Sequence, residues 1–490
     1  MINLKAPENE GHMFQVRSYV EHDPEPDYQH ASLEALEAFR DMKYGVRIHW
    51  GLYTLWKLRN ESWKFLRMSR QRRQAYQQLY QQFNPKNFDA DAWMDFFQRV
   101  GFKCFAMTTK HHEGFSLFDT RTRVRSRVNW TAPGRPQIED CDLAYSVMDT
   151  PFKRDIIAEL CDAARKVGIK TDLYFSHPDW YDADFRPYSF HPLQTQRVYD
   201  LPQEYGTVEY VNLLKPPQHI LSPEPTLEEV QRMMERHRAQ LVELLTNYGK
   251  IDMLCLDMWL GKPVWPELRQ TIKLLRQIQP DVMLRIRGIG NYGDYYTPEG
   301  FVPEDKAETD MPWMVIYPLG RTFSYEPLAR HHKSAEWIIR NLVQCTATGG
   351  NFMVGIGPDP DGWFHPKTVE ILEAVGDWLR INGEAIYDTR PHTPWHEGDD
   401  IHFSRSKDGR CIYALLTGEA WEGMKRMNPV TFSTLEGSAG LQVSLLGVSK
   451  ELSWKQEGKS LVVEVPRSLR GEVEHLSRLA GVIKFEVAID

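Results

Sequence analysis

Residues 1–30 contain no apolar run of the kind a secretory leader needs. No window of the 490-residue chain approaches the roughly 18 apolar residues of a membrane span. Cysteine is scarce: Cys104, Cys141, Cys161, Cys255, Cys345 and Cys411 form no CxxC pair, and several sit in apolar runs. They read as reduced, buried thiols, and the expectation is a cytoplasmic protein. Phosphate and nucleophile motifs are missing too: there is no GxxxxGK[ST], no GxGxxG after a first strand and no GxSxG. Arg285-Ile286-Arg287-Gly288-Ile289-Gly290 has glycines, but no helical run follows it. Basic charge is in deficit, with 59 Lys and Arg against 67 Asp and Glu, for a net charge of −8. That excludes the basic balance of a nucleic-acid binder. No internal repeat or low-complexity tract is present, and no histidine spacing matches a zinc signature, so neither metal nor cofactor is expected.

What is present is the material of a large globular core, with 42% apolar and 26% charged residues. Strand-like and helix-like runs alternate. KYGVRIHWG reads as a strand, and DADAWMDFFQRVGF as a helix with Trp93, Phe96, Phe97 and Val100 on one face. KCFAMTTKHHEGF is a strand with a polar end. Residues 152–167 place Ile156, Ile157 and Leu160 on one side of a helix that Gly168 stops. IKTDLYFSHPDW is the next strand. A helix over 228–248 follows, carried by Met233, Leu241, Leu244 and Leu245, and then strand KIDMLCLDMW. PELRQTIKLLRQIQP, DVMLRIRG, SAEWIIRNLVQCTATGG and NFMVGIG continue the alternation. Alternating strands and helices imply βα units on a parallel sheet. Polar residues recur at the strand ends: His49, His111–His112, His177–Asp179, Asp257 and Arg287. In a (β/α) barrel these ends meet at one mouth, whereas an open sheet gathers only those near a switch point.

Two connections, 121–150 and 181–225, are long and read as irregular loops that wall the pocket. After a helix over 367–381 the pattern changes to short alternating runs, CIYALL, LQVSLLG, SLVVEVP and VIKFEVA, separated by glycine-bearing turns. This predicts a C-terminal antiparallel β-sandwich. The expected organisation is an α/β chain with an irregular TIM-barrel domain over 1–390 and a sandwich domain over 391–490.

A run of apolar residues that ends on Asp257 calls for an explanation, because a buried charge must be paired or used. Two readings stand side by side: a carboxylate that caps the next helix or pairs with an arginine, and a catalytic nucleophile or base. Glu299, in Tyr295-Tyr296-Thr297-Pro298-Glu299, and Glu61 lie after neighbouring strands. Two carboxylic acids across a polar pocket are the apparatus of glycoside hydrolysis, and an aromatic setting from Tyr295, Tyr296 and Pro298 would raise the acid's pKa. Histidines suit sugar hydroxyls because each ring offers a donor and an acceptor. His111 and His112 can share one site only if their strand breaks there, since successive strand residues face opposite ways. Trp50, Trp56, Trp63, Trp180 and Trp259 are candidates to cover a sugar ring.

The order HWG…TTKHHEGF…GPDPDG…NGEAIY, together with FNPKNFDADAWMDFFQRVGF, LLTNYGKIDMLCLD and TPE, resembles the α-L-fucosidases of glycoside hydrolase family 29 over about residues 40–395. The resemblance implies an irregular (β/α) barrel followed by a β-sandwich, and retaining hydrolysis of α-linked L-fucose. It implies Asp257 as nucleophile and Glu299 as acid/base. It implies Arg287, His49, His111, His112, Tyr174 and Trp63 as sugar contacts, with Trp50 and Glu61 beside them. The chain departs from the pattern where members often carry Trp-Phe-Asp-Gly and Glu-Trp-Tyr. Here the residues are Cys255-Leu256-Asp257-Met258 and Glu61-Ser62-Trp63. A common Trp-Glu is Trp313-Met314, and Ser-Trp-Gly-Tyr is Thr322-Phe323-Ser324-Tyr325, which leaves Glu304 and Glu308 as spare acids. Alternative readings keep the fold on a galacto-configured or substituted sugar, or bind carbohydrate without turnover. The expected partner is a small oligosaccharide or glycoside, with no nucleic acid and no membrane. Self-association into a homo-oligomer is left open.

Overall fold

The computed structural model describes residues 3–7, 19–186, 191–193, 225–303 and 309–487. Glu304, Glu308 and most of the 181–225 connection lie outside them. Seven parallel strands form one curled sheet: β1 Tyr44–Ile48, β2 Cys104–Lys110, β5 Lys170–Ser176, β6 Met253–Asp257, β7 Met283–Leu284, β8 Met314–Pro318 and β9 Asn351–Ile356. Their order is β7-β6-β5-β2-β1-β9-β8. Residues 294–299 join the two edges. Ile286 donates its amide to Tyr295 at 3.1 Å, and Met314 and Ile316 donate to Tyr296 and Pro298 at 3.1 and 3.3 Å. An irregular eighth segment therefore completes the ring, and it carries Glu299 to the mouth.

The helices between the strands have local causes. Asp155 caps Ile156–Val167 by accepting the amide of Ala158, and Gly168, at φ 73°, ends it in the left-handed conformation a side chain resists. Thr226 and Glu229 form a reciprocal capping box on Leu227–Thr246. Helix Leu33–Met42 has another task. Its Leu36, Phe39 and Met42 pack with Cys104, Met253, Met283, Met314 and Met353 from inside the barrel and plug the end opposite the mouth.

Residues 121–150 are not the irregular loop their composition suggested. β3 Val124–Asn129 and β4 Gln137–Leu143 pair antiparallel, with Val128 opposite Ile138. The period-2 signal is there: Val124, Ser126 and Val128 face in while Arg123 and Arg125 reach Asp142. Arginines on the outer face hid it.

Beyond helix Pro366–Asn382, strands β10 Thr389–Glu397, β11 Ile401–Ser406, β12 Cys411–Leu416, β14 Leu441–Leu445 and β17 Gly481–Val487 form a five-stranded antiparallel sheet. β13 Val430–Phe432, β15 Ser453–Glu457 and β16 Ser460–Glu464 form a second sheet of three. Phe403, Ala414, Leu416, Ile483 and Phe485 face Phe432, Leu461 and Val463 between them. The alternate residues of the larger sheet, Tyr413, Leu415 and Val482, join the barrel's hydrophobic core. Trp378 donates its indole N–H to the carbonyl of Ala480 at 2.9 Å across that junction. The six cysteines are free thiols. Among the described residues no helix is long and apolar enough to cross a membrane.

Candidate active site

Asp257 ends β6 at the mouth of the barrel and is 8% exposed. It does not cap the following helix, whose N-cap is Val264. Its Oδ1 accepts from Arg287 Nη1 at 2.9 Å and from Arg285 Nη1 at 3.4 Å, and its Oδ2 accepts from the Tyr174 hydroxyl at 2.7 Å. His112 Nε2 stands 3.8 Å away. Burial opposes ionisation, but the Arg287 and Arg285 guanidiniums outweigh it and hold the carboxyl well below the usual carboxylate range. The pairing reading of this residue is therefore right as geometry. The same contacts keep the carboxylate anionic, the state that nucleophilic attack requires.

Arg287 binds both carboxylates. Its Nη1 holds Asp257 and its Nη2 donates to Oε2 of Glu299. The Glu299 side chain is 35% exposed, so it faces the open mouth. Tyr295, expected to contribute to an aromatic setting for it, does not: its ring turns into the barrel against Phe39 at 4.9 Å. Burial pushes the Glu299 pKa up, but Arg287 and Arg285 pull it below its ordinary value. The carboxyl beside the site whose pKa is raised is Glu61, which accepts the Ser324 amide at 2.8 Å. Burial pushes its pKa up to about 7, with the nearby Glu299 charge adding to the effect. Asn60 and Glu61 both lie in the left-handed region, at φ 63° and 48°, a backbone cost that recurs where side chains are aimed at function.

The histidines assemble as the strand break requires. β2 ends at Lys110, and the amide of Gly114 turns back to the carbonyl of His111. His111 and His112 then lie 4.3 Å apart by ring centroid, with His49 5.6 Å from His111. Tyr174 stacks 5.5 Å from His111. Burial keeps His49 and His111 well below their ordinary pKa and brings His112 to about 4. The three rings are therefore neutral near pH 7, and each presents one donor and one acceptor. His111 uses Nδ1 on the Ser62 hydroxyl. Nδ1 of His49 and both ring nitrogens of His112 are buried without a hydrogen-bond partner in the structure.

Trp63 meets His112 edge-on at 4.8 Å, Trp180 lies 5.1 Å from His112, and Phe323 stacks on His49 at 5.1 Å. Trp50 does not join this wall. Its ring packs 5.4, 5.6 and 5.5 Å from Phe83, Phe88 and Trp93, because the residue after His49 on an extended backbone faces the opposite side. His177 also turns away, with Nδ1 3.0 Å from Nε2 of His237 behind the site. Asp179 anchors the Trp180 loop by accepting from Arg236 at 2.7 Å and from the amides of Tyr181 and Asp182 at 3.1 and 3.0 Å.

Arg285 was not singled out from the sequence. It stands two residues before Arg287, and period-2 spacing on a strand places both side chains on one face, so the signal was available. Ser62, which fixes the His111 ring, left no comparable trace.

Together these residues form a pocket with one ionised acid, a second carboxylate on a shared guanidinium, neutral imidazoles and an aromatic wall. Residues 15–384 match the family model described as alpha-L-fucosidase. The chain is 26% identical to the tissue alpha-L-fucosidase of Bos taurus over 93% of this chain and 91% of that protein. It is 27% identical to the Homo sapiens tissue alpha-L-fucosidase over 90% and 88%. Among solved structures, alpha-L-fucosidase isoenzyme 1 from Paenibacillus thiaminolyticus superposes with a TM-score of 0.72 at 25% identity, covering 93% of this chain and 99% of that one. A Bacteroides thetaiotaomicron alpha-L-fucosidase, solved as a trapped covalent intermediate, superposes with a TM-score of 0.71 at 21% identity, covering 96% and 99%.

Proposed function

The chain belongs to the α-L-fucosidase family and is a glycoside hydrolase, and from that premise we propose that it releases α-linked L-fucose with retention of configuration, with Asp257 as the nucleophile. The observation that carries the reading is the Arg287 fork, which holds Asp257 and Glu299 together. Two carboxylates on one guanidinium favour the about 5–5.5 Å separation of retaining enzymes over the roughly 6.5–9.5 Å of inverting ones. Asp257 attacks the anomeric carbon while a carboxylic acid protonates the departing glycosidic oxygen. The resulting glycosyl ester is then hydrolysed by a water that the same group, now a carboxylate, deprotonates. His49, His112 and His111 take the ring hydroxyls, and Trp63 covers the sugar's apolar face.

Glu299 is the proposed acid/base, since it faces the open side where a leaving group departs. A second reading gives the proton to Glu61, because burial raises its pKa to about 7 while Arg287 draws that of Glu299 below the ordinary value.

The test uses 4-nitrophenyl α-L-fucoside beside the α-L-galactoside. Asp257→Ala is expected to bind fucose and lose turnover by several orders of magnitude, and a 2-fluoro-fucosyl donor is expected to label Asp257. NMR of the first-formed sugar should show the α anomer; first-formed β-fucose would overturn retention. Azide rescue of Glu299→Ala but not Glu61→Ala assigns the acid to Glu299, and the reverse assigns it to Glu61.

A further inference from the structure

Arg285 is 2% exposed and lies two residues before Arg287 on the run leaving β7. Its Nε donates to the Thr297 hydroxyl at 2.6 Å, and its Nη1 reaches Cys255 Sγ at 3.2 Å and Asp257 Oδ1 at 3.4 Å. These residues repeat the site above them in register. Cys255 and Asp257 are two residues apart on β6, Arg285 and Arg287 on the run leaving β7, and Thr297 and Glu299 on the closing segment. The upper rung runs Asp257–Arg287–Glu299, and the lower runs Cys255–Arg285–Thr297. Arg47, from β1, holds the lower rung from across the barrel, with Nη2 2.9 Å from Cys255 Sγ and 3.9 Å from Asp172 Oδ2.

The closing segment needs such a tie. Short backbone hydrogen bonds join it to the runs around β7 and β8, but as isolated bridges at Tyr295, Tyr296 and Glu299 rather than as a continuous ladder. The continuous ladder that fixes the Asp257 backbone is thus replaced, at Glu299, by a single bridge to Ile316. A planar guanidinium with fixed donor directions, anchored at both ends, sets a distance that a ladder of this length does not.

We propose that Arg285 and Thr297 are positioning residues, and that the Cys255–Arg285–Thr297 rung sets the spacing of the two catalytic carboxylates one pleat above it. This rests on the reading of Asp257 and Glu299 given above.

Thr297→Val removes the hydroxyl at nearly constant shape, and Thr297→Ser keeps it. With an aryl α-L-fucoside, Thr297→Val is expected to lower kcat about ten- to a hundredfold with KM within about threefold. That is the effect of a misplacement of up to about 1 Å. The acid limb of kcat/KM should move to higher pH as Arg285 loosens beside Asp257, and Thr297→Ser should restore wild-type values. Crystal structures of the wild type and Thr297→Val are expected to differ in the Asp257–Glu299 carboxyl separation. A Thr297→Val enzyme that loses only thermal stability, with wild-type kcat, pH profile and carboxyl separation, overturns the proposal. Asp257→Ala separates the two failures: an active Asp257→Ala defeats the site reading, while an inactive one beside a fully active Thr297→Val defeats only the positioning role. If the wild type leaves aryl fucosides intact, the fucosidase reading falls. The lower rung is then judged by the two structures, and an unchanged separation rejects it.

Discussion

Met258 follows Asp257 directly and holds a left-handed backbone, φ 63°, with its side chain buried at 4% exposure. Its carbonyl oxygen lies 2.5 Å from where a Cβ on Gly288 would stand, so the turn behind Asp257 is closed on both sides. An L-residue in this conformation costs about 1–2 kcal/mol, and a buried methionine offsets that through its packing. Met258→Ala loses the packing and keeps the strain, whereas Met258→Gly loses the packing and relieves it. Both variants are expected to unfold at lower temperature than the wild type, and Met258→Gly should be the more stable of the two by about 1 kcal/mol. Ordinary sites rank Ala above Gly. Paired thermal melts read the order, and Ala above Gly here would reject the strain.

Tyr174 supplies the one neutral hydrogen bond among the contacts to the Asp257 carboxylate described above, at 2.7 Å to Oδ2. A hydrogen bond to a charged group contributes about 1.5–3 kcal/mol. Tyr174→Phe is expected to lower kcat/KM on an aryl fucoside by about 10- to 100-fold and to move its acid limb upward, since the anion loses a donor. The two arginines remain, so the limb should stay below the ordinary carboxylate range.

The barrel was legible where strands were buried on both faces and helices had one apolar stripe. The runs ending at His49, Lys110, Ser176 and Asp257 gave both the strands and the mouth. β8 escaped notice because prolines flank its short run, Pro312 before it and Pro318 at its end. The closing segment carries no apolar alternation a strand reading could use; isolated backbone bridges place it in the sheet. The site's membership was legible at strand ends through residue type. Its protonation pattern was not, because the partner of Glu299 is an arginine twelve residues earlier, past the end of β7, and Glu61 is raised by burial that only the folded chain creates. Trp50 shows the limit of adjacency: one residue after a site histidine on an extended chain is the wrong side.

Gly114 tests the anchor beneath Trp180. Its φ is +86°, and a Cβ there would stand 2.1 Å from Asp179 Oδ1. Asp179 cannot give way freely, because Arg236 and two backbone amides hold it, and the Arg236 and Lys110 charges draw its pKa below the usual carboxylate value despite burial. Gly114→Ala therefore combines left-handed strain with a broken buried pair, for an expected loss of about 2–4 kcal/mol. The variant should also bind an aryl fucoside with raised KM, because Trp180 follows Asp179 and its amide is fixed on the carbonyl of His112 at 2.7 Å. Denaturant melts and KM check the two effects.

Glu61 links pH to both stability and turnover. Burial raises its pKa from 4.5 to about 7 in the folded chain, so between those values the folded state binds the proton that the unfolded state has released. A raised carboxyl contributes stability that is fully present below about 4.5 and is lost as pH rises through about 7. The loss for this one group is about 3 kcal/mol at pH 8. Glu61→Gln carries no such proton, so it should flatten that share of the alkaline decline without touching stability at pH 4. Glu113, Asp172 and Asp182 are also raised by burial and still titrate in the variant, so a decline remains there, shallower than in the wild type by the share of Glu61. Melting temperatures of both proteins from pH 4 to 9 give the comparison. Curves that fall in parallel across pH 5–8 would show that the Glu61 carboxyl is already ionised in the fold, and would remove the ground for assigning it the catalytic proton.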